Sequence, residues 1–225
     1  MDRSLIVFDM DGVLVDVSES YRETIVRTVE HFTGKAVSHA QIQDCKNQGG
    51  FNDDWKLSHH LITAQGVAVE FQSVADYFQR VFIGNGTDGL ILRERWIARD
   101  GLFERLAAHF DFAIFTGRFH FEIELTLRRF APALRFDPII AQEDVTEGKP
   151  APEGLLKIAA SAGRRNLWYV GDSVDDARSA RAAEVPFIGV ASPENPRRAE
   201  LICLLETEQA RAVIGDINQL ESVLA

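Results

Sequence analysis

The chain has 225 residues, 46% of them hydrophobic and 26% charged, a balance that excludes collagen-like, disordered and disulfide-stapled classes. Its formal charge of −10 offers no broad basic surface for nucleic acid or anionic lipid. Two cysteines, Cys45 and Cys203, are too few for a disulfide framework, and no apolar run approaches the roughly 20 residues of a membrane span; the expectation is a cytoplasmic protein that binds neither nucleic acid nor membrane.

Residues 4–8, Ser-Leu-Ile-Val-Phe, read as a buried strand that opens into the polar turn Asp9-Met10-Asp11-Gly12. From Ser20 the pattern turns helical: Tyr21, Ile25, Thr28 and Phe32 recur at helical spacing, and Ser20 with Glu23 is a candidate capping box. Further helices are expected around Trp55 to Ile62, and where Val74, Tyr77, Phe78 and Val81 share a face. The turn-rich stretch from Ile83 to Gly89 closes this helical block. After about Gly101, apolar runs at Phe112 to Phe115, Leu167 to Val170 and Pro186 to Val190 alternate with helical stretches, the rhythm of βα units on a parallel sheet. Pro152 opens one such helix, with Leu155, Ile158, Ala159 and Ala162 on its stripe and Gly163 as its stop. Ala212-Val213-Ile214 and the segment after Asp216 add a last strand and helix. The expected architecture is α/β: a core of residues 1–15 and 96–225 whose parallel sheet is flanked by helices, with an all-helical domain, 16–95, inserted after the first strand. Two crossings between two bodies invite a hinge.

Ligands of parallel α/β sheets sit beyond the carboxyl ends of the strands, so the residues that follow each apolar run are informative. They are Asp9 and Asp11 after the first, Thr116, Gly117 and Arg118 after the second, and Gly171, Asp172, Ser173, Asp175 and Asp176 after the third. Lys149 stands in Gly148-Lys149-Pro150, in a loop before a helix. Clustered carboxylates raise one another's pKa unless a cation neutralises them, and an oxygen-only donor set suits Mg2+. A lysine, a threonine hydroxyl and a helix N-terminus beside them suit a phosphoryl group.

The order of these four fragments resembles the haloacid dehalogenase superfamily of phosphohydrolases, with Asp9-Met10-Asp11-Gly12, Thr116-Gly117-Arg118, Lys149-Pro150 and Gly171-Asp172-Ser173-Val174-Asp175-Asp176 matching its four motifs in sequence. The resemblance implies a Rossmann-like core, with the helical insert as a cap that closes over the site. It implies Asp9 as nucleophile, giving an aspartyl-phosphate, and Asp11 as the acid that protonates the leaving alcohol and then as the base that activates water. Thr116 would hold phosphate oxygens and Lys149 would offset the charge of Asp9. Mg2+ would be held by Asp9, the main-chain carbonyl of Asp11 and Asp172, with Asp176 in support. Asp11 itself favours phosphate esters over carbon–halogen chemistry, because the namesake dehalogenases lack an aspartate there.

Other features divide between functional and structural readings. Gly117 lies beside the phosphate-binding threonine, and Arg118 is either a contact to a second anionic group of the substrate or a surface arginine. In the insert, Asn47-Gln48-Gly49-Gly50-Phe51-Asn52-Asp53-Asp54-Trp55 could bring Asn47, Asn52 and the amides of Gly49 and Gly50 to substrate, or serve as a turn with Asn52 or Asp53 as N-cap. The six histidines fit no metal-binding spacing and read as structural. The function expected is Mg2+-dependent hydrolysis of a small phosphorylated metabolite. A phosphomutase of the β-phosphoglucomutase kind is the nearest alternative, disfavoured because Tyr21 and Arg22 stand where a cap histidine is expected. A phospho-aspartate receiver switch, typically half this length, and a non-catalytic interaction protein are the others. Neither the exact substrate nor the oligomeric state is legible.

Overall fold

The computed structural model describes residues 3–163 and 166–224; the outermost residues of the expected core, 1–2 and 225, and positions 164–165 lie outside the described residues. In chain order it contains β1 (Ser4–Phe8), β2 (Val15–Asp16), α1 (Tyr21–Thr33), α2 (His39–Gln48), α3 (Asp54–Thr63), α4 (Phe71–Ile83), β3 (Arg95–Trp96), α5 (Leu102–Leu106), β4 (Phe110–Phe115) and α6 (His120–Phe130). There follow β5 (Ile139–Ile140), α7 (Glu153–Ala162), β6 (Leu167–Gly171), α8 (Val174–Ala182), β7 (Phe187–Val190), α9 (Arg198–Thr207), β8 (Ala212–Ile214) and α10 (Glu221–Leu224). Among the described residues no helix is long and apolar enough to cross a membrane.

Six strands form one parallel sheet in the order β5-β4-β1-β6-β7-β8. The N-terminal strand is therefore central: Leu5 is in register with Asp111 of β4 on one side and Leu167 of β6 on the other. Period-two geometry sends Ile6 and Phe8 to one face and Leu5 and Val7 to the other, and all four are fully buried. That is why β1 reads as an unbroken apolar run rather than an alternating one. On one face Phe8 meets Phe103, Phe112 and Phe136 edge to face; on the other, Phe115 and Tyr169 pack beside Phe187.

Helices α1 to α4 occupy residues 21–83, and their buried stripe, including Ile25, Val29, Ile42, Leu57, Val74 and Phe78, is continuous with the core on the Phe8 face of the sheet. In α4 the buried positions are Val74, Ala75, Phe78 and Phe82, so the apolar face is rotated slightly from the expected one and leaves Tyr77 and Val81 half-buried. Ser20 does not form the expected capping box: its side chain caps nothing and its hydroxyl has no partner. Boxes form instead at Ser38 with Gln41 and at Ser173 with Asp176. The chain leaves the core through β2 and returns through β3. These two crossings pair antiparallel, Val15 with Trp96 and Asp16 with Arg95, and Arg95 donates to Asp16 at 2.7 Å.

Candidate active site

The three central strands, β4, β1 and β6, end side by side, and each end delivers part of the site. Asp9 continues β1 by one residue, its amide donating to Val170 of β6. Thr116 follows β4, and Asp172 follows β6 directly. Gly12 permits the tight return after Asp11: its φ is +72°, and a Cβ there would lie 2.0 Å from Asp172 Oδ2, so only glycine lets the first turn approach the third.

Asp9 is 5% exposed and Lys149 6%. Lys149 Nζ stands 2.9 Å from Asp9 Oδ1 and 2.7 Å from Asp176 Oδ1, and Tyr169 donates its hydroxyl to the same Asp176 oxygen at 2.6 Å. The other oxygen of Asp176 accepts from the amide and hydroxyl of Ser173. Burial pushes the Asp176 carboxyl up, but the attraction of Lys149 and these hydrogen bonds outweigh it and hold the group below the usual carboxylate range. Asp9 goes the other way: burial, reinforced by Asp176, Asp11 and Asp172 and only partly opposed by Lys149, pushes it up to about 8. Asp172 rises to about 7, through burial first and then Asp176.

Carboxylate oxygens of Asp9, Asp172 and Asp176 lie within 4.8 Å of one another. Their donor chemistry fits a hard divalent cation, since three carboxylates, two of them buried and Asp172 half-buried, share only the charge of Lys149 at close range and two of the three are pushed towards protonation. Asp176 spends both oxygens on four hydrogen bonds, whereas the Asp172 carboxylate accepts none from the described residues. Asp172 is thus the least committed of the three carboxylates, and Asp176 is the one most tightly held within the protein.

In front of these groups lies a cavity of about 150 Å³, walled on the core side by Asp9, Asp11, Gly117 and Asp172 and on the helical side by residues including Arg22, Lys46, Phe51, Asn52 and Trp55. Lys46 pairs with Asp54 at 2.7 Å. Arg22 donates to Gln43 at 2.9 Å while its Nη1 has no partner.

The remaining expected residues divide. Asn52 reaches the cavity, its amide nitrogen 2.7 Å from where a Cβ on Gly117 would stand. Thr116 is buried and its hydroxyl accepts the Arg118 amide at 3.3 Å. Asn47 is buried away from the cavity wall, accepting from Gln43. The Gly49-Gly50 turn does not present its amides to the cavity as expected. The Gly50 N–H donates to the carboxylate of Asp175, 2.8 and 2.9 Å from its two oxygens, and a Cβ on Gly49 would collide with Arg178; the turn fastens the helical block to α8. Arg118 is also corrected. It is 1% exposed and absent from the cavity wall, and its guanidinium donates to Asp11, Glu94 and Thr126, so it is neither a surface arginine nor on the wall where a substrate anion would lie.

Sequence reading passed over Glu94, Glu122 and Tyr169. Glu122 accepts from Tyr21 and Gln79 of the helical block at 2.9 Å each. The available signal for Tyr169 was a hydroxyl inside an otherwise apolar strand.

The sequence model of the haloacid dehalogenase-like hydrolases matches residues 4–184. An imidazoleglycerol-phosphate dehydratase of Phytophthora nicotianae is 32% identical over 94% of this chain, but the chain spans only 47% of that protein's length. A phosphoglycolate phosphatase of Mesorhizobium japonicum is 24% identical over 84% of this chain and 83% of its own. Among solved structures, a Bacteroides fragilis protein provisionally described as a haloacid dehalogenase-like hydrolase superposes with a TM-score of 0.75 at 23% identity, over 97% of this chain and 99% of that one. With its central sheet, its aspartate pair after β1 and its acidic turn after β6, the chain belongs to the haloacid dehalogenase-like hydrolase family.

Proposed function

We propose that the chain is a Mg2+-dependent phosphomonoester hydrolase acting on a small phosphorylated metabolite, with residues 16–95 as a cap over the site. The observation that carries this reading is the placing of Asp9, Asp11, Gly117 and Asp172 on the wall of one small cavity at the ends of three adjacent strands, with Lys149 paired to Asp9 beside it. Asp9 attacks phosphorus to give an aspartyl-phosphate. Lys149 holds one oxygen of Asp9 and so fixes the carboxylate for attack. Asp11 protonates the departing alkoxide, then takes a proton from the water that hydrolyses the acyl-phosphate. The amide of Gly117 and the hydroxyl of Thr116 are donors for the phosphoryl oxygens. Mg2+, when held by Asp9 and Asp172, neutralises carboxylate and phosphate charge.

The cavity favours a compact substrate. Arg22 lines its wall with Nη1 buried and unpartnered, a positive charge that suits a carboxylate, which puts phosphoglycolate first in a substrate panel, in keeping with the Mesorhizobium relative. No histidine lines the cavity among the described residues, which favours hydrolysis over a mutase that would trade protons with a sugar hydroxyl. The dehydratase name of the Phytophthora protein does not enter this reading, since less than half of that protein is spanned.

The test is phosphate release from a panel of phosphorylated metabolites with Mg2+ and with chelator, beside Asp9→Asn. Release that needs Mg2+ and Asp9 supports the reading. No release, or a long-lived acyl-phosphate on Asp9, would count for a switch or an interaction protein.

A further inference from the structure

Arg118 is buried as deeply as the apolar core, yet it carries a charge and three sets of hydrogen bonds. Nε donates to Asp11 Oδ1 at 2.8 Å and Nη2 closes on the same oxygen. Nη2 also donates to Glu94 at 2.7 Å, and Nη1 to the hydroxyl of Thr126 at 2.9 Å. Thr126 in turn donates to the second oxygen of Glu94 at 2.8 Å, and the Tyr21 ring stacks on the guanidinium, its centroid 5.0 Å from Cζ. A planar guanidinium held on this many sides has one available orientation. Asp11, by contrast, is the exposed end of the network, its side chain 31% accessible at the cavity.

We propose that Arg118 is a positioning residue that clamps Oδ1 of Asp11 and leaves Oδ2 as the oxygen that exchanges protons with the substrate, and that Glu94 holds the clamp in place. This role rests on the hydrolase reading given above. In the first step the proton on Oδ2 passes to the leaving oxygen as the P–O bond breaks, and in the second a proton from water passes back to Oδ2 as the acyl-phosphate is cleaved. Arg118 exchanges no proton in either step. Glu94 immediately precedes β3, the returning crossing, and is 2% exposed. The clamp is therefore anchored on the core at Thr126 and on the chain that leaves the helical block at Glu94, so the acid–base carboxylate and the crossing are tied to one side chain.

The experiment compares Arg118→Met, Arg118→Lys, Glu94→Gln, Asp11→Asn and the double variant Arg118→Met/Asp11→Asn on two esters. One is the alkyl phosphate best hydrolysed by the wild type, whose leaving group needs a proton; the other is p-nitrophenyl phosphate, whose leaving group does not. A misplaced acid costs on the order of 10²-fold in kcat on the alkyl ester and far less on the aryl ester, with KM little changed. Arg118→Lys recovers part of the loss, Glu94→Gln gives a smaller loss with the same ester preference, and the double variant is no slower than Asp11→Asn alone because both lesions remove one function. Equal losses on both esters, or losses that multiply in the double variant, would overturn the positioning role while leaving the hydrolase reading intact. Glu94→Gln and Arg118→Lys decide the matter if Arg118→Met does not fold. Absence of wild-type turnover on either ester overturns both readings together.

Discussion

Lys149 Nζ lies 2.9 Å from Asp9 Oδ1 with both side chains all but sealed from water, and the same ammonium serves Asp176. One cation thus neutralises, in part, the carboxylate proposed to attack phosphorus and a second one beside it. Breaking such a pair from one side leaves buried charge without compensation, which costs about 3–5 kcal/mol. Lys149→Met is expected to lower Tm by about 10 °C and to abolish turnover even where the fold survives. Differential scanning calorimetry beside a phosphate-release assay checks both; a variant of unchanged Tm would contradict the pairing.

The raised carboxyls set a pH dependence. Asp9 and Asp172 ionise at about 8 and about 7 in the folded protein against an ordinary 3.8. Because the folded pKa values are raised, the contribution of these groups is fully present below about pH 4 and is lost as pH rises through 7 to 8. A divalent cation needs the ionised forms, so it offsets the loss where the loss is greatest. The Tm gain from Mg2+ over chelator is expected to be larger at pH 8 than at pH 5.5. A gain that shrinks with rising pH would be the wrong sign.

Gly12 separates the Asp9–Asp11 turn from Asp172 by less than a methyl group. Gly12→Ala strains a residue at φ +72°, costing about 1–3 kcal/mol, and pushes Asp172 from its place. The Mg2+ concentration for half-maximal activity should rise about tenfold or more. Titration of activity against Mg2+ reads this directly, and an unchanged midpoint would show that Asp172 need not stand there.

Glu122 of α6 receives the Tyr21 hydroxyl of α1 and the Gln79 amide of α4. A glutamine at 122 offers one accepting oxygen in place of two, so one donor loses its partner at about 0.5–1.5 kcal/mol. If those donors fasten the cap, Glu122→Gln raises KM up to about tenfold and changes kcat less. A loss in kcat alone would separate Glu122 from cap docking.

How much of this was legible in the sequence depended on where each residue gets its environment. Asp9, Thr116 and Asp172 each follow an apolar run, and strand ends of a parallel sheet are where chemistry gathers, so local pattern sufficed. Arg118 stood out after its apolar run but was read as a substrate contact or a surface arginine, and Glu94, set between two arginines, did not stand out at all, because both are buried only when β3 returns beside β2 and α6 packs against it. The Gly49-Gly50 turn misled for a related reason: its amide finds a carboxylate on α8, far along the chain. Strands of two residues, such as β2, β3 and β5, carry too few positions for any period to show.

The position of β1 has a further consequence, in the time course of folding. Of the six strands of the sheet, β1 is synthesised before the others yet ends up in the middle, and both of its neighbours, β4 and β6, arrive only after the helical block. Its five residues are apolar enough to be buried on both faces, so until β4 and β6 emerge they are an unpaired, sticky edge on the nascent chain. The sheet closes late, by contacts that span most of the molecule, which makes for slow folding. A chain truncated before β6 would keep Asp9 but leave the strand that carries it half unpaired.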